Sequence, residues 1–341
     1  MPTIIDVAAL AGVSTATVSR VINDSGFVEP ALKSKVKKAI TKLNYQPNLV
    51  ARGLRSDSTS IIAVMISDIE NPFYTAVCRG VQDVASEHGY AVMICNSDED
   101  VEKESKYLGM FAGQRVAGVI ISPASSKTTK TKMLEEKGIH IIALGRSLAS
   151  TTDYVGVNGR LGAKMATRHL IESGAKRIAC ITGVADVTTA NDRLAGYLDA
   201  LAEAEIVPDK DLQFRGNFKV SSGSDGVEYL LGLAERPDAV FIANNQMTTG
   251  ALHALANSRV AIPDNLMLVG FDDFPLADVH KPTITVVRQP TNEIGAAAAN
   301  LLMSRINGDT TAIKSIILAP ELIVRESSFK AKARIESRKG G

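Results

Sequence analysis

The sequence predicts an α/β chain with a small helical head: three helices within the first 45 residues, then a long body in which apolar strands alternate with amphipathic helices. Three observations predict it. Between Ile4 and Tyr45 no β-type alternation occurs, and apolar residues recur at helical spacing. From Ile61 onward, short apolar runs punctuate helical stretches. Charge divides along the same line, since residues 1–60 hold eight Lys/Arg against four Asp/Glu and the stretch from Arg325 to Gly341 holds six against two. With a net charge of +1 for all 341 residues, and +4 at each end, the long middle carries −7. A basic head on an acidic body predicts that the head alone meets a polyanion.

Composition narrows the class. At 45% hydrophobic and 22% charged residues, the chain is neither disordered, collagenous nor held by disulfides. Cys78, Cys95 and Cys180 lack metal-ligand or redox spacing and read as free thiols of a reducing compartment. No apolar run approaches the roughly 18–20 residues that span a bilayer, and the start MPTIIDVAALAGV carries no basic leader. The expectation is a cytoplasmic protein with no membrane partner.

In the head, Ile5, Ala8 and Ala9 mark a first short helix stopped by Gly12. Gly12-Val13-Ser14 forms a tight connection, and Ser14 or Thr15 caps a second helix running to about Ile22. Val18, Val21 and Ile22 give that helix its apolar face, while Thr15, Ala16, Ser19 and Arg20 point outward. A third helix, Pro30 to Leu43, starts with proline and carries Lys33, Lys35, Lys37, Lys38 and Lys42. Two short helices joined by a Gly-containing turn make a helix-turn-helix, whose second helix can lie in the DNA major groove; a three-helix protein-binding module has the same pattern. Arg20 suits a bidentate contact to guanine, Ala16 and the Thr15 methyl suit thymine, and the lysines suit phosphates.

The run from Ile5 through Ala11-Gly12-Val13-Ser14-Thr15-Ala16-Thr17-Val18-Ser19-Arg20 to Asn23 resembles the headpiece of the LacI/GalR (lactose-repressor type) family, as does Leu43-Asn44-Tyr45-Gln46-Pro47-Asn48. The segment from Leu49 to Arg55 then resembles the hinge helix of that family, which folds only on operator DNA and puts a leucine, here Leu54, into the minor groove. Gly53 departs from the pattern and loosens the free hinge. The resemblance implies DNA contacts at Thr3, Ser14, Thr15, Ala16, Thr17, Ser19, Arg20, Asn23, Tyr45, Asn48, Ala51 and Leu54.

In the body, the runs IIAVMIS, YAVMIC, VAGVIIS, IHIIAL, RIACIT, AVFIAN and LMLVGF read as strands between helices such as Phe73–His88 and Gly159–Ser173. Parallel sheets covered on both faces follow, with ligands outside the C-terminal strand ends. The loops there, Ser67 to Tyr74, Gly145-Arg146, Asn244-Asn245, Asp272-Asp273 and Arg288-Gln289, are rich in hydrogen-bonding groups, as a site for a polyhydroxylated solute requires.

The resemblance extends to about Ser327 and implies a two-lobe body of the type I periplasmic-binding-protein kind. The domains expected from it are a headpiece at 1–47, a hinge helix and linker at 48–60, a body at 61–328 and a basic, disordered tail at 329–341. The N-lobe takes 61–157 and 289–316, and the C-lobe 158–288 and 317–328. Effector contacts implied at matching positions are Asn71, Phe73, Tyr74, Arg146, Arg193, Asn244, Asp272 and Gln289. Ribose-type members place Asp-Arg where this chain has Gly145-Arg146. An arginine without that neighbour suits a ligand carboxylate or phosphate, which raises sugar acids and sugar phosphates beside neutral sugars; a purine is not expected.

Enzyme readings fare poorly. Gly156, Gly159 and Gly162 make G-x-x-G-x-x-G rather than a dinucleotide loop, no phosphate-binding or nucleophile-elbow motif occurs, and His88, His140, His169, His253 and His280 are scattered. No catalytic residue, metal or cofactor is expected. The reading is a homodimeric repressor of carbohydrate uptake or catabolism genes, released from a pseudo-palindromic operator in double-stranded DNA by a small carbohydrate-like effector. The tail lacks leucine heptads, so a dimer rather than a tetramer is implied. The alternatives are a co-repressed or partner-controlled regulator of the same family, a solute-binding protein or an enzyme.

Overall fold

The computed structural model describes residues 2–23, 25–45, 59–125, 127, 129–148 and 152–329. The chain divides into two compact units, Met1–Thr59 and Ser60–Gly341. In the first, α1 (Ile4–Ala11), α2 (Thr15–Asn23) and α3 (Pro30–Leu43) enclose a core of Val7, Ala8, Ala11, Val18, Val21, Val36 and Ala39. A capping box between Thr3 and Asp6 starts α1, and Gly12 ends it in the left-handed conformation at φ 66°. Pro30 opens α3 and Asn44, at φ 47°, closes it. The expected hinge helix and the tail beyond Phe329 lie outside the described residues.

The second unit holds two six-stranded sheets. The first contains β1 (Ile61–Ile66), β2 (Ala91–Asn96), β3 (Gly118–Ile121), β4 (His140–Leu144), β5 (Asp153–Val157) and β11 (Ser315–Leu318) in the order β11-β5-β4-β3-β1-β2. The second contains β6 (Ile178–Thr182), β7 (Gln213–Arg215), β8 (Ala239–Ile242), β9 (Met267–Phe271), β10 (Thr285–Arg288) and β12 (Glu321–Ile323) in the order β12-β10-β9-β8-β6-β7. All pairings are parallel except β10 with β12, so the two sheets are parallel as expected, the second carrying one antiparallel edge strand. The short β11–β12 connection explains it. Only Ala319 and Pro320 separate β11 from β12, so the chain enters the second sheet directly from the cleft end at which β10 finishes and runs antiparallel to it.

Helices cover both faces of each sheet: α4 (Pro72–Glu87), α5 (Val101–Gln114), α6 (Lys132–Glu135) and α11 (Thr291–Ile306) on the first, and α7 (Gly159–Glu172), α8 (Thr188–Glu203), α9 (Val220–Gly232) and α10 (Asn245–Ala256) on the second. Strands buried on both sides explain why β1, β3, β6, β8 and β9 read as continuous apolar runs. The chain leaves the first sheet after Val157, returns after Arg288 and leaves again after Leu318. The third crossing, expected at about residue 316, follows Leu318, which β11 pairs with Val157 of β5. Phe329, assigned to a disordered tail, instead packs its ring edge-on against His169 at 5.3 Å.

Candidate functional site

In the head, the turn before α2 is held by its own side chains. Ser14 Oγ accepts from the Thr17 amide at 3.2 Å and lies 3.0 Å from Thr17 Oγ1, so both hydroxyls serve the cap. Thr15, Ala16 and Arg20 are exposed along one side of α2, and Ser19 is half-buried. Thr3 binds Asp6 through both its amide and its hydroxyl, which makes it a cap first. The Tyr45 ring packs on the head core. The side chain of Asn23, and Asn48, Ala51 and Leu54 altogether, lie outside the described residues.

In the body, all eight residues singled out for effector contact line one cavity between the two sheets. Asn71 caps α4 by accepting from the Phe73 amide at 2.9 Å, which sets Phe73 and Tyr74 on the first turn facing the cleft. Their rings meet edge-on at 5.0 Å. Tyr74 Oη is within 2.7 Å of Ser67 Oγ and 2.9 Å of Ser122 Oγ, so its hydroxyl is already engaged. Asn244 caps α10 through the Met247 amide and donates to the Phe218 carbonyl at 3.0 Å, which leaves one amide hydrogen for a ligand.

Arg193 is a deeply enclosed charge. Its guanidinium donates to the Ala243 carbonyl at 2.5 Å, lies 3.8 Å from the centre of the Phe271 ring and stands 3.7 Å from Asp272. Gln289 donates to the other Asp272 oxygen. Burial pushes the Asp272 carboxyl up against the pull of Arg193 and Gln289. Burial likewise lowers the guanidinium, against Asp272, although an arginine stays charged. The Arg193 Nε is buried with no hydrogen-bond partner, an unmet donor at the cavity wall.

Arg146 corrects the sequence reading. It is not left unpaired by Gly145: Glu99, from the loop after β2, takes its guanidinium in a bidentate pair at 2.5 and 2.6 Å, and the Pro123 carbonyl accepts at 3.1 Å. The case for a ligand carboxylate or phosphate at Arg146 therefore falls. Glu99 was missed, as were Asp68, Ser122, Tyr154, Asp192 and Phe218 on the same wall. Glu99 and Asp68 flank recognised elements and their sequence signal is only a carboxylate following a strand. Asp192 adjoins Arg193 in sequence, and that adjacency is its only signal.

The two lobes touch across this cleft. Lys219 Nζ is 2.9 Å from Asp68, Asn245 Nδ2 donates to Asn71 Oδ1 at 2.9 Å, and Lys127 reaches Asp186 at 3.1 Å. Each pair joins a residue of the first lobe to one of the second.

The model of bacterial regulatory proteins of the lacI family matches residues 3–48, and that of a periplasmic binding protein-like domain matches residues 167–328. The HTH-type transcriptional repressor PurR of Aliivibrio salmonicida is 34% identical over 333 residues, covering 97% of this chain and 100% of the relative. The ribose operon repressor of Halalkalibacterium halodurans is 36% identical over 328 residues, 96% of this chain and 97% of that one. A solved lac repressor dimer, bound to operator and the anti-inducer ONPF, has a TM-score of 0.86 at 26% identity and covers 96% of this chain and 99% of that one.

Proposed function

This chain belongs to the lacI family of bacterial regulatory proteins, and from that premise we propose that it is a sequence-specific repressor released from its operator by a small polyhydroxylated effector. One observation carries the reading. A helix-turn-helix with an exposed Thr15-Ala16…Arg20 face stands in one chain with a cavity lined by buried, hydrogen-bonding and charged side chains. The first suits base edges and the second suits hydroxyls. The curated relatives that support it are repressors, one of a ribose operon, and the solved lac repressor binds its operator as a dimer.

Two heads of a homodimer would read the halves of a pseudo-palindrome, with Arg20 on guanine and the α3 lysines on phosphates. Ligand held between the lobes changes their closure and so the spacing of the two DNA-reading segments. Because coupling is reciprocal, operator and effector alter each other's affinity by one factor, about 5–150-fold for a coupling of ~1–3 kcal/mol. Release by ligand, rather than tightening, is the sign proposed, supported by the likeness to a repressor of a ribose operon, and a cytoplasmic location follows from operator binding.

The experiment is selection of a randomised duplex library on the intact protein, then titration of the enriched sequence across a salt series. The expected outcome is a two-fold symmetric consensus whose affinity falls steeply with salt. Arg20→Ala should relax the preference at one position in each half and cost about 1–3 kcal/mol. No enrichment at any salt would overturn the repressor reading.

A further inference from the structure

We propose that Glu99 is the specificity-determining residue of the effector cavity: it supplies the carboxylate absent at Gly145, occupies Arg146 and confines the cavity to neutral, hydroxyl-bearing ligands. The proposal deepens the effector reading and rests on the cleft being the ligand site.

Geometry carries it. Both Glu99 oxygens are tied to the Arg146 fork, and the guanidinium, almost fully buried, is further fixed by the Pro123 carbonyl and by the Phe218 ring 5.5 Å from its Cζ. The end-on fork of Arg146 is therefore taken, and of its five N–H groups only Nε–H and one Nη2 hydrogen are not used in these bonds, so an anion approaching them meets the Glu99 carboxylate alongside. Each Glu99 oxygen keeps a lone pair beyond the one given to Arg146. The side chain is 22% exposed and lines the cavity, so those lone pairs can accept from ligand hydroxyls.

The local backbone is built to bring Glu99 there. Asp98 and Glu99 are successive non-glycine residues in the left-handed region, at φ 54° and 63°. They are pinned by Asn96 and Lys103 on the Asp98 carboxylate and by the Glu99 amide on the Ser67 carbonyl at 3.1 Å. An extended chain at these two positions would point the carboxylate elsewhere.

Charge agrees. The cavity wall carries four carboxylates, Asp68, Glu99, Asp192 and Asp272, against two guanidinium groups, Arg146 and Arg193. Lys219 neutralises Asp68, which leaves one net negative charge. In a poorly solvated cleft that charge repels a carboxylate or phosphate far more than it would in water. A neutral polyol meets no such opposition.

The test uses the intact protein and inorganic phosphate as the probe, followed by thermal unfolding. Wild type should show no phosphate-dependent rise in Tm beyond that given by sodium chloride at equal ionic strength. Glu99→Gln, which keeps shape and loses charge, should gain about 3–5 °C at roughly 20 mM phosphate by freeing Arg146. Glu99→Asp, which keeps the charge, and the double variant Glu99→Gln with Arg146→Met should gain none. Its Tm in sodium chloride shows that Glu99→Gln folds. A wild-type phosphate shift that Arg146→Met removes, or no gain in Glu99→Gln, would overturn the assignment.

Calorimetric titration with neutral pentoses and hexoses beside their uronic acids and phosphates gives the second arm. Wild type should favour a neutral member at least tenfold, and Glu99→Gln should narrow that gap; tighter binding of an anionic member to wild type overturns the proposal. If phosphate behaves as expected and no sugar of either kind binds, the role of Glu99 stands and the sugar-like effector falls.

Discussion

Asp153 opens β5 and is the residue through which the edge of the first sheet is tied to the end of α11. Its two oxygens accept from Arg305 at 2.7 and 2.8 Å and from the Lys314 amide at 2.8 Å. Arg305 spends its remaining donors on the carbonyls of Asp309, Thr311 and Ala312. Both side chains are buried, so Asp153→Asn leaves the guanidinium with only the more distant Asp309 carboxylate at 3.5 Å and should cost about 2–4 kcal/mol, below the roughly 3–5 kcal/mol of a buried ion left with no partner. Burial works to raise the Asp153 carboxyl, but the Arg305 bonds, the Lys314 amide and both positive charges outweigh it and hold it below the ordinary carboxylate range. Below about pH 3.9 the unfolded chain therefore binds the proton first, and this contribution to stability is lost as pH falls toward the lowered value. Thermal unfolding from pH 5 downward checks this: Asp153→Asn should lose stability less steeply than wild type over that window. At this scale the sequence was informative where a motif carried the residue and silent where the partner came from elsewhere. Asn71, Phe73 and Arg193 sit in recognisable runs, and they do reach one cavity. The partner of Arg146 lies 47 residues upstream, in an Asp-Glu-Asp stretch that reads as nothing more than the cap of α5. Gly145 showed that a carboxylate was missing, but not that the fold supplies another.

Helices α4 and α11 cross so closely that glycine is required on both. A Cβ on Gly80 would sit 2.2 Å from the Asn292 carbonyl oxygen, and one on Gly295 would sit 2.1 Å from that of Val77. Backbone atoms cannot rotate away as a side chain can, so Gly295→Ala must push the helices apart, at a cost of about 1–3 kcal/mol or more. Because α4 carries Asn71 at its cap and Phe73 and Tyr74 on its first turn, the same substitution should weaken effector binding without touching the cavity. Gly113→Ala in α5, where the new Cβ meets nothing within 4 Å, should instead stabilise by about 0.5–1 kcal/mol. Denaturant unfolding of the two variants separates a packing requirement from a propensity effect, and equal losses would refute the distinction. Element by element, the three head helices, α4 and α7 were legible from caps and periodicity, and α3 begins at Pro30 and ends at Leu43 as read. Seven of the twelve strands among the described residues were legible as apolar runs. The other five, β5, β7, β10, β11 and β12, each begin on a polar residue and hold at most three consecutive apolar residues, and their extended state comes from a neighbour. Ser315–Leu318, for instance, is a strand because β5 pairs with it.

The whole body works as two lobes whose contact is charged as well as covalent. Asp68 follows β1 in the first lobe and is almost fully buried, while Lys219 precedes α9 in the second and is 36% exposed. Their bond at 2.9 Å closes the cleft from the side chains, independently of any ligand. Burial opposes the ammonium, yet Asp68 and the nearby carboxylates Asp98 and Glu99 raise its affinity for the proton above that of a free lysine. A pair half open to water and screened by salt is worth about 0.2–1 kcal/mol, well below what a dry pair would give. Removing Lys219 does more than lose that sum, because the closed form would then bury Asp68 uncompensated, whereas an opened cleft would hydrate it. Lys219→Met should therefore shift the lobes toward the open form and raise the effector Kd several-fold, since apparent affinity scales with the closed fraction. Adding Asp68→Asn removes the stranded carboxylate and should recover much of the loss, an outcome that simple damage to the pocket would not give. Fluorophores placed on the two lobes read closure directly: the single variant should lengthen the mean distance, the double variant should return it toward wild type, and high salt should lengthen it more in wild type than in either variant, which among the described residues keep only the Lys127–Asp186 pair to be screened. An unchanged distance in Lys219→Met would mean that the crossovers, and not this pair, set the closure.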